Sequence, residues 1–379
     1  MSARSLTVTG AAVLLLGMAG AVPASAAGPG AGCQPAGTSG FTAKVVAKAG
    51  QHISGWTVDA TGCDVGIYVA DQASHVTISR VTVTGANGAG ILVENTSDIV
   101  VERSIVHDNG LNVPPPPPPI GPPEGTGEGE YTGPRLPQAF GISLFGVSHA
   151  VVTRNMVYDN GRGGIGVMDT GPFDPGHLIA ADGTPVGSSP STPVPVRDVV
   201  VSRNTLWGNL NGCAVVVSVF NTGNHISDVT VTRNTITGTG FGATGPDVGG
   251  IVAQTNGENS MVKNITISRN TIVDSGESGV IVHAAAPGSH TVNVQVVRNM
   301  LSGNNQLNEE TGHTTGVVVS SWLAGADLGQ SNINTRIERN TMTDQFYGVW
   351  TQGPNPPTLV RNAITVTAGG TPFFVAPTS

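Results

Sequence analysis

Apolar residues recur along this chain in short, regularly placed groups rather than in helical stripes. Aligning it on Arg80, Arg103, Arg154, Arg203, Arg233, Arg269, Arg298, Arg339 and Arg361 gives nine registers. Two residues before each arginine stands an aliphatic residue: Ile78, Val101, Val152, Val201, Val231, Ile267, Val296, Ile337 or Leu359. Three residues after it stands Val83, Val106, Val157, Leu206, Ile236, Ile272, Leu301, Met342 or Ile364. The two columns are an odd number of positions apart, so one straight strand alternating with period two cannot point both inward. The chain must bend between them. Asn follows the arginine in seven registers, at Asn155, Asn204, Asn234, Asn270, Asn299, Asn340 and Asn362. This predicts an Asn corner, because Asn tolerates the left-handed region, with amides stacked into a ladder.

A second strand opens with glycine in most registers, as in Gly66-Ile67-Tyr68-Val69, Gly90-Ile91-Leu92-Val93, Gly141-Ile142-Ser143-Leu144, Gly164-Ile165-Gly166-Val167, Gly250-Ile251-Val252-Ala253, Gly279-Val280-Ile281-Val282 and Gly316-Val317-Val318-Val319. Such short strands are stabilised by stacking coil on coil, about 4.8 Å apart. Five residues after the arginine, Gly85, Gly208, Gly238 and Gly303 exchange with Asp108, Asp159, Asp274 and Asp344, which predicts positive φ there. Five residues before it, His75, Asp98, His149, Asp198, Asp228, Asn264, Asn293 and Asn334 form a polar column expected to cap a turn. No segment sustains a 3.6-residue apolar period, which excludes a helical solenoid. A β-sandwich is the rival, but hairpins would not return one residue type to one corner nine times.

The pattern Val-x-Ile-x-Arg-Asn-x-Ile, with Gly-Ile-x-Val between, resembles the parallel β-helix repeats of the pectin-lyase-like superfamily and of NosD-type proteins over about Gly50 to Val375. The expected fold is all-β, a right-handed parallel β-helix solenoid of about nine coils, its hand implied by the resemblance. Residues 1–26 read as a signal peptide, 27–65 as an N-terminal segment and cap, and 66–375 as the β-helix. Two long Pro/Gly-rich insertions interrupt it at 112–138, which holds Pro114 to Pro119, and at 171–196.

The signal reading rests on Arg4, the apolar run Ala11 to Val22 and the small residues Ala24-Ser25-Ala26. That run is too short for a membrane span and no second candidate follows, so the expected location is extracellular, without a membrane span once the signal is removed. In an oxidising compartment Cys33 and Cys63 are expected to pair, because both precede the repeats; Cys213, beside an apolar run, reads as a small buried residue. The formal net charge of −8 argues against nucleic acid as a partner. A monomer is expected.

Outside the repeat columns, polar side chains are sparse. Asp169 and His283 follow directly on glycine-led strands, and Glu258 and Lys263 lie in the segment between two such strands. These four are the candidate catalytic residues, supplying acids and a base or cation beside the groove that the resemblance to β-helix enzymes implies on that sheet. The family's pectate-lyase chemistry implies calcium in an acidic cluster. The sequence shows no Asp-rich cluster, and calcium enters only through the resemblance. The polygalacturonase set is absent; Phe173 to His177 resembles only in part the Asp-Pro-His-Asp signature of mannuronan epimerases. No metal motif or phosphate-cradling loop with Lys is present. The stripe of arginines reads either as a solvated structural column or as a row meeting carboxylates or sulfates. By resemblance, the leading expectation is a carbohydrate-active protein acting on or binding an extracellular polysaccharide, lyase- or hydrolase-like if it is an enzyme. The alternative is a non-enzymatic scaffold, adhesin or glycan-binding surface protein.

Overall fold

A computed structural model describes residues 28, 30, 32–36, 41–69, 73–111, 140–169, 178–179, 185–186, 195–209, 211–242, 248–308, 311–321 and 331–377. The signal segment, Phe173 to His177 and most of both insertions lie outside the described residues. Three strand types alternate around each coil. Strands ahead of the arginine corner (Ser97–Glu102, Ser148–Thr153, Val196–Ser202, His225–Thr232, Met261–Ser268) stack into an arginine sheet. Three-residue strands after it (Ile105–His107, Met156–Tyr158, Thr205–Trp207, Thr235–Thr237) stack into a short-strand sheet. Glycine-led strands (Ile91–Glu94, Phe140–Phe145, Gly163–Met168, Val215–Val219, Gly249–Thr255, Ser278–Ala284, Thr315–Ser320) form the third. Every pairing between successive coils is parallel. Antiparallel pairing appears where Gln34–Ala36 folds on Phe41–Ala47, and between Leu178–Ile179 and Pro185–Val186. Phe41–Ala47 already pairs in parallel with Val65–Val69, so stacking starts earlier than residue 66, where the sequence reading opens the helix. Cys33 and Cys63 form a disulfide beside this first coil, and Cys213 is buried.

Both aliphatic columns point inward. From Ile78 to Ile337, and from Val83 to Met342, each member is at most 1% exposed, and together they form one continuous core. Each such side chain contributes roughly 1.5–3 kcal/mol by leaving water. In the last coil, Leu359 and Ile364 are only part-buried, because no further rung covers them among the described residues.

The corner differs from the sequence expectation. Arginine, not asparagine, takes the left-handed conformation, with φ between 51° and 59° at all nine positions. The residue after it then turns inward, and this buries the Asn amide. Asn155, Asn204, Asn234, Asn270, Asn299 and Asn340 each donate Nδ2 to Oδ1 of the next Asn at 3.0 Å. The stacked ladder is therefore present, inside the tube. A second ladder that the sequence reading missed runs six residues after the arginine, from Asn109 to Asn160 at 3.0 Å and on to Asn209 at 3.1 Å. Its signal was the Asn recurring at 109, 160, 209 and 304.

All eight positions five residues after the arginine have positive φ, as the Gly/Asp exchange predicts. The glycines that open the third strand serve close approach instead. A Cβ on Gly250 would lie 2.6 Å from the Gly279 carbonyl oxygen of the next rung.

Candidate functional site

The polar column five residues before each arginine runs inside the arginine-sheet strands at Asp98, His149, Asp198, Asp228 and Asn264, whereas Asn293 and Asn334 stand at the bend between two short strands and His75 at the bend before Thr77–Ser79. All eight have φ between 54° and 60°. A left-handed residue bends its strand and sets two successive residues facing out, as Ser227 and Asp228 do before Val229 turns inward. Repeated rung by rung, the bend makes a trough on the outer face. Its lower part is a cleft of about 410 Å³ lined by Asn264, Thr266, Asn293, Gln295, Asn334 and Arg336.

The trough floor is an exposed amide ladder. Asn264 donates Nδ2 to Asp228 Oδ1 at 3.0 Å, Asn293 to Asn264 Oδ1 at 3.1 Å, and Asn334 to Asn293 Oδ1 at 3.2 Å. An amide has two donor hydrogens and two acceptor lone pairs, so each Asn keeps donor and acceptor capacity toward solvent. Above Asp228 the column becomes charged, with His149 Nδ1 3.6 Å from Asp198 Oδ2. Hydrogen bonds from Ser227 and Asn264, then the cations of Lys263 and Arg197, hold the Asp228 carboxyl below its usual range. Among the described residues no group of three His, Cys, Asp or Glu could hold a metal ion.

The four catalytic candidates are not gathered at one point. Lys263 is exposed on the trough rim, beside Asn264 and in register with Ser227 and Val292. Glu258 is exposed in the preceding turn, where its backbone carbonyl accepts the Gly223 N–H. Asp169 is fully buried and accepts from the Phe220 and Asn221 N–H groups and from Nδ2 of Asn221 and Asn224, at 2.8–3.0 Å. That carboxylate ties its own coil to the turn of the next. His283 is buried on the outer side of the glycine-led sheet, its Nδ1 2.5 Å from Ser320 Oγ. Register runs from Met168 through Ser218 and Gln254 to His283. Asp169 and His283 thus stand three rungs apart, roughly 14 Å along the axis.

Sequence comparison also finds a β-helix. A family model described as "Right handed beta helix region" matches residues 43–239, more than half of the chain. The chain belongs to the right-handed β-helix family. No curated protein is matched by sequence. Among solved structures, this β-helix is similar to the Dettilon tailspike protein, with 12% identity and a TM-score of 0.50, covering 87% of this chain and 59% of that one. It is also similar to a surface adhesin of Streptococcus pneumoniae (9% identity, TM-score 0.48, 87% of this chain and 81% of that one). A mannuronan C-5 epimerase A-module of Azotobacter vinelandii matches at 19% identity and TM-score 0.46, covering 89% and 75%. At these identities the likeness is one of fold.

Proposed function

We propose that this β-helix binds an extended polysaccharide along the trough of the arginine sheet. One observation carries the reading: the solvent-facing amide ladder from Asp228 to Asn334, walled by Thr266, Gln295 and Arg336. Amides, hydroxyls and a guanidinium at a repeat of about 4.8 Å suit a long polyhydroxyl ligand, which exchanges its water hydrogen bonds for these. The disulfide supports an exported protein, as do the apolar run and small-residue site within residues 1–26.

A hydrolytic version of this reading has one observation in its favour. Arg197 pairs in register with Ser227, which sets Asp198 and Asp228 on adjoining rungs. Titrating the mature chain with neutral and uronate glycans by calorimetry, while following reducing ends and unsaturated uronates, tests both versions. The double variant Asn293→Ala/Asn334→Ala should weaken binding by about tenfold or more. Unchanged affinity in that variant, or no binding across the panel, would overturn the trough. Turnover abolished by Asp228→Asn would favour the hydrolytic version.

A further inference from the structure

Among the described residues, the outer face of the short-strand sheet carries aromatic rings in one run of rungs and nowhere else. Its two outward positions are Thr82 and Thr84, Thr235 and Thr237, or Thr341 and Thr343 in three of the rungs. Three consecutive rungs carry Ile105 and His107, Met156 and Tyr158, Thr205 and Trp207 instead. The core does not call for this change, since the residues between them, Val106, Val157 and Leu206, keep the usual inward aliphatic pattern.

The three rings stack along the helix axis. Centroids are 4.9 Å apart from His107 to Tyr158 and 4.2 Å from Tyr158 to Trp207, with interplanar angles of 2° and 6°. Beyond Trp207 the next rung offers only Thr237, small and exposed, so the stack stops with an indole face turned toward a threonine rung. Beside the rings run two aspartates. Asp108 is engaged by His107 Nδ1 at 2.6 Å. Asp159 is exposed and has no side-chain hydrogen bond or ion pair among the described residues. Its carboxylate leans over the following rung at Gly208, where a Cβ would run into Asp159 Oδ1. Gly208 directly follows Trp207, so the unpaired anion and the terminal indole lie side by side. Burial first, then the charges of Asp108 and Asp159, raise the Tyr158 phenol above its ordinary value, consistent with a negative local field.

From the juxtaposition of the Trp207 face and the Asp159 carboxylate, we infer a second binding site, selective for a glycan that carries protonated amino groups. The apolar face of a sugar ring takes the next place in the stack, over Thr235 and Thr237, whose hydroxyls meet the ring's own. Its ammonium reaches the Asp159 carboxylate. A lysine-rich peptide would satisfy the carboxylate but leave the ring-sized place over the threonines unfilled. This site lies on a different face from the trough and does not rest on it.

The test uses the mature chain with a glucosamine hexamer, its fully N-acetylated counterpart and a polylysine of equal charge, read by calorimetry and indole fluorescence. The amine-bearing hexamer should bind about tenfold tighter than the acetylated one, and lose that advantage above its own amine pKa. Asp159→Asn, an exposed isosteric change, should erase the preference. Trp207→Ala should abolish the amine-dependent part of the binding, while Trp207→Phe, which keeps a ring face, should restore most of it. Equal binding of the acetylated hexamer, indifference to Asp159→Asn, or tighter binding of polylysine would each overturn the site. Binding of neutral glycans, measured in the same samples, reports on the trough separately.

Discussion

Asn204 donates both its backbone N–H, at 2.9 Å, and its Nδ2, at 3.0 Å, to the single oxygen Oδ1 of Asn234 in the next rung. Asn204 also donates Nδ2 to the Val152 carbonyl of the preceding rung, so one buried side chain joins three coils. Replacing Asn234 with Ala leaves the Asn204 backbone N–H and one of its two Nδ2 hydrogens without an acceptor in a buried position. The expected loss is about 3 kcal/mol in chemical denaturation, far beyond a surface substitution.

At the neighbouring position conformation matters and charge does not. Arg233 holds φ 57°. Glycine accepts this region freely and a β-branched residue does not. Arg233→Gly should stay within about 1 kcal/mol of the parent, while Arg233→Val should lose about 1–2 kcal/mol. Equal stability of both variants in thermal melts would contradict the corner assigned to arginine.

Asp169 is expected to act on stability rather than on ligands. Its carboxylate accepts four hydrogen bonds from the Phe220 to Asn224 turn. Asp169→Ala should destabilise by on the order of 3 kcal/mol, because buried donors lose their acceptor. Glycan affinity in the trough, measured below the melting temperature, should be unchanged.

The Cys33–Cys63 bridge, with a sequence separation of 30, fastens the antiparallel Gln34–Ala36 strand to the first coil. Loop-closure entropy puts its contribution at roughly 3–4 kcal/mol. Reduction, or Cys33→Ser with Cys63→Ser, should lower hydrogen-exchange protection across Phe41–Ala47 before the later rungs respond.

The Asp228 carboxyl is held below its unfolded value, with hydrogen bonds from Ser227 and Asn264 as the main cause. A depressed folded pKa contributes stability above the unfolded value, near 3.9, and that contribution disappears as pH falls through the folded pKa. Trough binding should therefore be flat from pH 5 to 8 in calorimetry, weakening only in acid, roughly below pH 4.

The coil, its two inward columns, the positive φ five residues after eight of the nine arginines and the Cys33–Cys63 pair were all legible along the chain. The columns and the positive φ depend on which way a side chain points within a few residues of backbone, which is set locally, and the disulfide follows from two cysteines that both precede the repeats. The left-handed arginine was not legible, because intrinsic preference favours Asn at such a corner. Burial of the amide ladder overrides that preference. The trough and the aromatic stack were decided only in three dimensions. His107, Tyr158 and Trp207 are far apart along the chain, and insertions of unequal length separate their coils. Which side chain lies over which depends on the register between rungs, and hydrogen bonding between strands fixes that register only after the chain has closed each coil.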